Sequence, residues 1–265
     1  MSNASTTFIS EVGSQSTAEQ VLAKVPAVTF LFWVMKIFAT TLGETGGDAV
    51  SMSMHLGYLV STIIFGVIFI VAVLIQIKAE KFHPFLYWFT IIATTTVGTT
   101  MADFADRSLG IGYAGGSTLL FSLLMISLFT WYRTMGSIDV TTVSTPKVEA
   151  FYWVTIMFSQ TLGTALGDWT ADNEAIGYTG AAMIFGSMLL VVALLHFFTK
   201  ISRPGLFWAA FILTRPLGAV VGDYLDKPVA DGGLELSRFT ASAALIAFLV
   251  VGILFFKHKA AEKAH

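Results

Sequence analysis

Residues Phe32 to Asp48 read FWVMKIFATTLGETGGD. The stretch opens on an aromatic–Trp pair, runs apolar, and closes on small residues and an acid. Three further pairs occur, Tyr87-Trp88, Tyr152-Trp153 and Phe207-Trp208. Ten residues after each Trp stands Gly43, Gly98, Gly163 or Gly218, and fifteen after it Asp48, Asp103, Asp168 or Asp223. One residue before each Asp is Gly47, Ala102, Gly167 or Gly222. No copy needs a gap, so the chain is an internal fourfold repeat.

Each unit continues into a second apolar run. The first three open it with Leu56-Gly57-Tyr58, Ile111-Gly112-Tyr113 and Ile176-Gly177-Tyr178, while the fourth departs with Asp231-Gly232-Gly233. A helix needs about 20 apolar residues to cross roughly 30 Å of hydrocarbon. Eight such runs fall near 29–48, 56–78, 85–104, 112–133, 149–169, 177–199, 205–224 and 238–257. They are too long and too unalternating for barrel strands. A two-helix unit returns the chain to its starting side, so the copies point the same way. The expectation is an all-α polytopic membrane protein with eight transmembrane helices as four parallel two-helix repeats. Its parts are a polar tail (1–28), a membrane domain (29–258, with repeats about 29–83, 84–147, 148–203 and 204–258) and a second tail (259–265). The longest connection between units, roughly 134–147, suggests two halves of two units each.

The totals agree. Of 265 residues, 55% are hydrophobic and 12% charged, and the mean hydropathy is +0.76. Soluble domains carry about 25% charge. A net charge of −2 without a clustered basic face gives no nucleic-acid footprint. With no cysteine, disulfides and thiolate metal sites are excluded. No cofactor is implied. Residues 1–28 contain no run resembling a cleaved signal, and Thr17 and Gln20 have capping-box spacing for a short interfacial helix over 17–25.

The connections after the odd runs carry ten acids, including the four repeated aspartates, against Arg107, Lys227 and Arg238. The opposite connections and tails carry ten bases. Because basic residues stay on the cytoplasmic side, both termini are expected there, and the acidic mouth would face outward and concentrate cations.

Steps of four along each odd helix, from the seventh residue after Trp, give Thr40, Glu44, Asp48; Thr95, Thr99, Asp103; Gln160, Thr164, Asp168; and Arg215, Ala219, Asp223. Such residues share one helix face. Lipid-facing polar groups are costly, so these columns should face the interior. The plainer alternative is that Thr hydroxyls bond back to their own helix and Asp ends it. A last-turn Asp opposes the helix dipole, which asks for a partner. The Gly-x3-Gly or Gly-x3-Ala pairs let helices approach closely.

Lys36, Glu44 and Arg215 are charges inside runs, and Pro216 follows Arg215 and can kink its helix. Lys36 lies eight residues, about 12 Å, from Glu44, too far for a direct pair. Arg215 could instead pair with Glu44 from another helix. Lys36 and Arg215 against Glu44 and the four aspartates give a net of 2 − 5 = −3, which favours a cation. Met52, Met54 and His55 could be soft metal ligands but also suit packing. The Trp residues read as packing or interface anchors, and His196 as packed or hydrogen-bonded.

The stretches Phe32–Asp48, Tyr87–Asp103, Tyr152–Asp168 and Phe207–Asp223 (FWAAFILTRPLGAVVGD) resemble a bacterial membrane-protein family of four tandem two-helix repeats of unknown function, whose members are often labelled membrane-anchored proteins. The resemblance covers about 27–258 and implies a multi-pass protein of the bacterial inner membrane. It supplies no substrate or reaction.

The functional expectation therefore rests on the residues. It is a secondary transporter moving a cation, either a divalent metal or a proton-coupled solute. Glu44 would be the central acid. Asp48, Asp103, Asp168 and Asp223 would form the entrance, and Thr40, Thr95, Thr99, Gln160 and Thr164 the polar lining. Lys36 and Arg215 would be counter-charges. The partners would be the bilayer and a small cation or solute, with a homo-oligomer left open. A non-transporting structural or sensory membrane protein is the alternative. An intramembrane enzyme fits less well, because Thr45, Thr100, Ala165 and Val220 break the Gly-x-Gly-Asp pattern and no HExxH or GxSxG occurs.

Overall fold

The computed structural model describes residues 23–108, 110–256 and 258–261. Among them are eight long helices and no strand: α1 (Phe30–Asp48), α2 (Gly57–Lys78), α3 (Pro84–Asp103), α4 (Gly112–Met135), α5 (Pro146–Ala171), α6 (Gly177–Phe198), α7 (Arg203–Asp226) and α8 (Arg238–Phe255). Their ends lie within three residues of the runs expected from sequence. Local chemistry sets several of them. Thr29 caps α1 by accepting from the Phe32 amide, and Pro opens α3, α5 and α7 within the first turn, where no amide donor is missed.

The odd helices form a closed ring in the order α1, α3, α5, α7, each touching the next and α7 touching α1. The even helices stand outside it. Each packs chiefly on the odd helix of the following unit: α2 on α3, α4 on α5, α6 on α7, and α8 back onto α1. Short links at 79–83 and 199–202 explain the pairing, since they leave no reach beyond an antiparallel neighbour.

Five helices, α2, α4, α6, α7 and α8, are long and apolar enough to cross a membrane. The outer ones turn large apolar side chains outward, such as Ile63, Val67, Ile70, Leu190 and Leu254. A bilayer would cover such a surface, and water would not. The protein thus has the helices of a multi-pass membrane protein. The three remaining helices, α1, α3 and α5, fall outside that apolar set because their inward faces are lined with Thr, Gln and acids, all buried.

The repeated small residues do the packing expected of them. A Cβ placed on Gly43 would strike the Thr95 side chain, one on Gly98 would meet Gln160, one on Gly163 would strike Arg215, and one on Gly218 would strike Thr40. Each glycine thus seats the column residue of the next odd helix, around the whole ring. Without a hydrophobic drive between helices in lipid, such backbone approach supplies dispersion and polar contacts.

At the Trp end the ring is closed by a cyclic aromatic girdle. Ring centroids are 5.7 Å apart for Phe32–Trp88, 5.9 Å for Tyr87–Trp153, 6.2 Å for Tyr152–Trp208 and 5.6 Å for Phe207–Trp33. Trp88, Trp153 and Trp208 are buried, so they pack the interior and do not anchor an interface. Beneath the girdle lie Val140 and Val143 from the longest connection, with Ala23, Val25 and Ala261. Residues 23–28 of the expected polar tail are therefore partly structural: Pro26 bridges Ala260, and Lys24 pairs with Glu149 at 2.6 Å. The Thr17–Gln20 capping box lies outside the described residues.

Candidate functional site

The odd helices bring their columns together at Arg215. Its side chain is fully buried. Pro216 has no amide hydrogen, so the carbonyl one turn before it, on Ile212, is released from the helical ladder beside this cation. From α7, Arg215 Nη2 donates to Glu44 Oε2 on α1 at 2.9 Å and to the hydroxyls of Thr99 on α3 and Thr164 on α5. Nη1 donates to the Thr40 carbonyl at 3.3 Å. One guanidinium therefore touches all three other inner helices. Thr99 also donates to Glu44 Oε2 at 3.3 Å. Isolated, either charge would be very costly here; paired and hydrogen-bonded, they hold each other.

Not every column residue faces this centre. Thr40 donates to the carbonyls of Ile37 (2.8 Å) and Thr214 (3.2 Å), and Thr95 to those of Ile92 (3.1 Å) and Ala39 (3.2 Å). These two hydroxyls stitch a helix to itself and to its neighbour. The lining role expected for them gives way to the plainer reading, because the Gly43 and Gly218 notches hold them at the helix contacts. Lys36 stays apart from Glu44, as its spacing implied. Its ammonium lies 3.5 Å from Gln160 Oε1 and 4.1 Å from the centre of the Phe211 ring, so a carbonyl and a π face share the charge.

Outward of Arg215, the four aspartates are joined in pairs. Lys227 Nζ lies 2.6 Å from Asp48 and 2.9 Å from Asp223, clamping α7 to α1. Arg107 lies 3.0 Å from Asp103 and 3.3 Å from Asp168, clamping α3 to α5. Arg238, at the start of α8, adds Asp226 at 2.7 Å and approaches Asp48 at 3.8 Å. Arg107 and Lys227 thus each serve their own aspartate at i,i+4 and that of an adjacent helix. Burial works against the Lys227 ammonium, yet Asp223, Asp48 and Asp226 outweigh it and hold its pKa above the usual lysine value. Arg107 behaves likewise, with burial opposed by Asp103 and Asp168.

Arg107, Lys227, Arg238 and Asp226 were missing from the sequence-derived site. The i,i+4 spacings Asp103–Arg107 and Asp223–Lys227 were a readable signal; their second partners were not. With them the column holds five bases and six acids, a net of −1 where −3 was expected.

Glu44, Asp48 and Asp223 each place a carboxylate oxygen within 4.8 Å of the others, all buried. Asp48, Asp103 and Asp168 each keep one oxygen without a hydrogen-bond partner among the described residues. Hard oxygen donors of this kind suit Mg²⁺, Mn²⁺ or Ca²⁺, or a proton. The Lys227 ammonium already sits between two of these carboxylates, as a tethered cation. Met52, Met54 and His55 stand on and beside the π-helical turn Ala49–Ser53, with Met54 exposed. His196, expected to be packed or hydrogen-bonded, is exposed on α6, an outer helix.

Four tandem matches to the family model described as Repeat of Unknown Function (DUF347) cover residues 31–82, 86–137, 151–202 and 206–260. The chain belongs to this four-repeat family. It shows no match among curated proteins and none among solved structures.

Proposed function

We propose that this protein is a secondary transporter of a cation, a divalent metal or a proton-coupled solute. In this reading all eight helices span the inner membrane of a bacterium, with both termini cytoplasmic. The observation that carries it is Arg215 paired with Glu44 where the four inner helices meet, one turn beneath the carboxylates of Asp48 and Asp223.

Two tethered cations sit on acidic positions along the ring axis, Lys227 on Asp48 and Asp223 and Arg215 on Glu44. An entering cation would replace Lys227, then Arg215. Both bases stay in the protein when displaced, so the entering charge would be balanced only by the acid that the column holds in excess, and Arg215 would fall back on the Thr40 carbonyl to which it already donates. Thr99 and Thr164 would supply neutral oxygens at the inner position. The aromatic girdle closes the opposite end, as an inward gate would.

One observation favours a second reading. Glu44 is already satisfied by Arg215 and Thr99, as a purely structural ion pair would be. Calorimetric titration of the purified protein with Mn²⁺, Mg²⁺, Ca²⁺ and Na⁺ separates the two. The transport reading expects a binding heat for at least one cation that Asp48→Asn and Glu44→Gln both abolish. Heat for none of them favours the structural role.

A further inference from the structure

On the outer face of the helix pair α4–α5 lies a groove of about 450 Å³. Leu123, Ile126 and Thr130 form one wall, and Ala150, Val154 and Phe158 the other. Its walls are mostly apolar, and the Ser127 hydroxyl in its lining is satisfied by Thr155 at 2.7 Å. Ile126 is 60% and Val154 44% exposed, so the groove opens toward the surroundings of the bundle and away from the central site.

Its length and its charge identify an occupant. From Phe158 to Lys147, which lines the groove's end at the start of α5, is eleven residues, or roughly 16 Å of helix. That is close to one leaflet of hydrocarbon, half of about 30 Å. A single acyl chain fits this run. Lys147 is exposed at the level where a headgroup would begin, and Arg133 stands one turn beyond Thr130 on α4, its guanidinium 5.9 Å from the Phe129 ring. Exposed Tyr132 beside it is a residue type that settles at headgroup depth. The nearby acids do not outweigh these bases. Glu149 is neutralised by Lys24 at 2.6 Å, and Asp139, accepting from the Thr141 amide at 2.9 Å, keeps its charge, so Lys147 and Arg133 leave a net of 2 − 1 = +1. The groove's end is therefore positive. A soluble partner could not reach an apolar face at bilayer depth.

We infer that the α4–α5 groove binds an anionic phospholipid, with one acyl chain along the groove and the headgroup phosphate on Lys147. Basic positions between helices at the cytoplasmic face recognise such headgroups by charge. The inference rests on the membrane setting and not on transport, so either can fail without the other.

The test is native mass spectrometry of the purified full-length protein in mixed micelles, with phosphatidylglycerol or phosphatidylcholine of equal chain length. Wild type retains phosphatidylglycerol in preference. Lys147→Gln weakens that retention about fivefold, the contribution of one basic residue at an anionic surface. Ala150→Phe, which fills the groove, lowers retention of both lipids. Lys200→Gln, a base away from the groove, changes nothing. Equal retention of the two lipids by wild type, or phosphatidylglycerol retention unchanged in Lys147→Gln, overturns the assignment. Lys147 is a surface residue, so this variant folds even if Ala150→Phe does not.

Discussion

Arg215 on α7 donates to Glu44 on α1 at 2.9 Å, and both side chains are cut off from solvent. Removing one partner of a buried ion pair strands the other, at a cost of about 3–5 kcal/mol. Glu44→Gln should therefore lower stability by about that much in denaturant titrations of the purified protein. Glu44→Gln combined with Arg215→Met should recover most of the loss, because no unpaired charge remains. A double variant as unstable as the sum of the single ones would mean the two residues act independently.

Gly43 and Gly46 lie one turn apart on α1 and should respond oppositely to a methyl group. A Cβ on Gly43 strikes the Thr95 side chain, whereas one on Gly46 meets only Leu42 Cδ1 at 4.0 Å. Gly43→Ala should destabilise by about 1–3 kcal/mol through overpacking. Gly46→Ala should be neutral or stabilising by up to about 1 kcal/mol through helix propensity. Comparing their unfolding midpoints with wild type checks both.

Much of this architecture was legible because a repeat shows its own register. The spacing from Trp to Gly to Asp set the helix ends, the shared direction and the inward polar face. Periodicity names a face, however, and does not say which neighbour meets it. Thr40 and Thr95 share the column with Glu44 and Thr99, yet they end at helix contacts, because the partner notches at Gly218 and Gly43 exist only once the ring closes. Lys227 could be paired with Asp223 by spacing alone. Its bond to Asp48, 179 residues away, follows from α7 lying beside α1. The same closure hid the pairing of residues 23–27 with 259–261, since neither segment has a hydrophobic period.

The girdle offers a hydroxyl-level test. Tyr87 and Tyr152 share one hydrogen bond of 2.7 Å, and both rings are buried. Tyr152→Phe leaves the other hydroxyl unpaired and should cost about 1–3 kcal/mol. Tyr87→Phe with Tyr152→Phe should cost less than the two single losses added. A double-mutant cycle in denaturant gives the coupling directly.

The outer clamp makes a pH prediction. The Lys227 pKa is raised in the folded protein, with burial opposed by three carboxylates. A base raised on folding contributes stability that is fully present below its unfolded value of about 10.4. That contribution is lost as pH rises from there through the higher folded value. The difference in unfolding midpoint between wild type and Lys227→Met should hence shrink as pH rises above about 10.4, where the unfolded chain sheds a proton that the folded protein keeps. A difference unchanged from about pH 9 to about pH 11.5 would show that folding does not raise the Lys227 pKa and that it is not clamped.

Cation flux through the Glu44 position is the centre of this account. The direct measurement is uptake into proteoliposomes across a panel of divalent and monovalent cations, with and without a pH gradient. Wild type is compared with Glu44→Gln and with Asp172→Asn, an exposed acid outside the column. The account predicts uptake of at least one cation by wild type and by Asp172→Asn, and loss of at least tenfold in Glu44→Gln while the protein remains folded. Equal uptake by wild type and a folded Glu44→Gln, or no uptake of any cation by wild type, would contradict it.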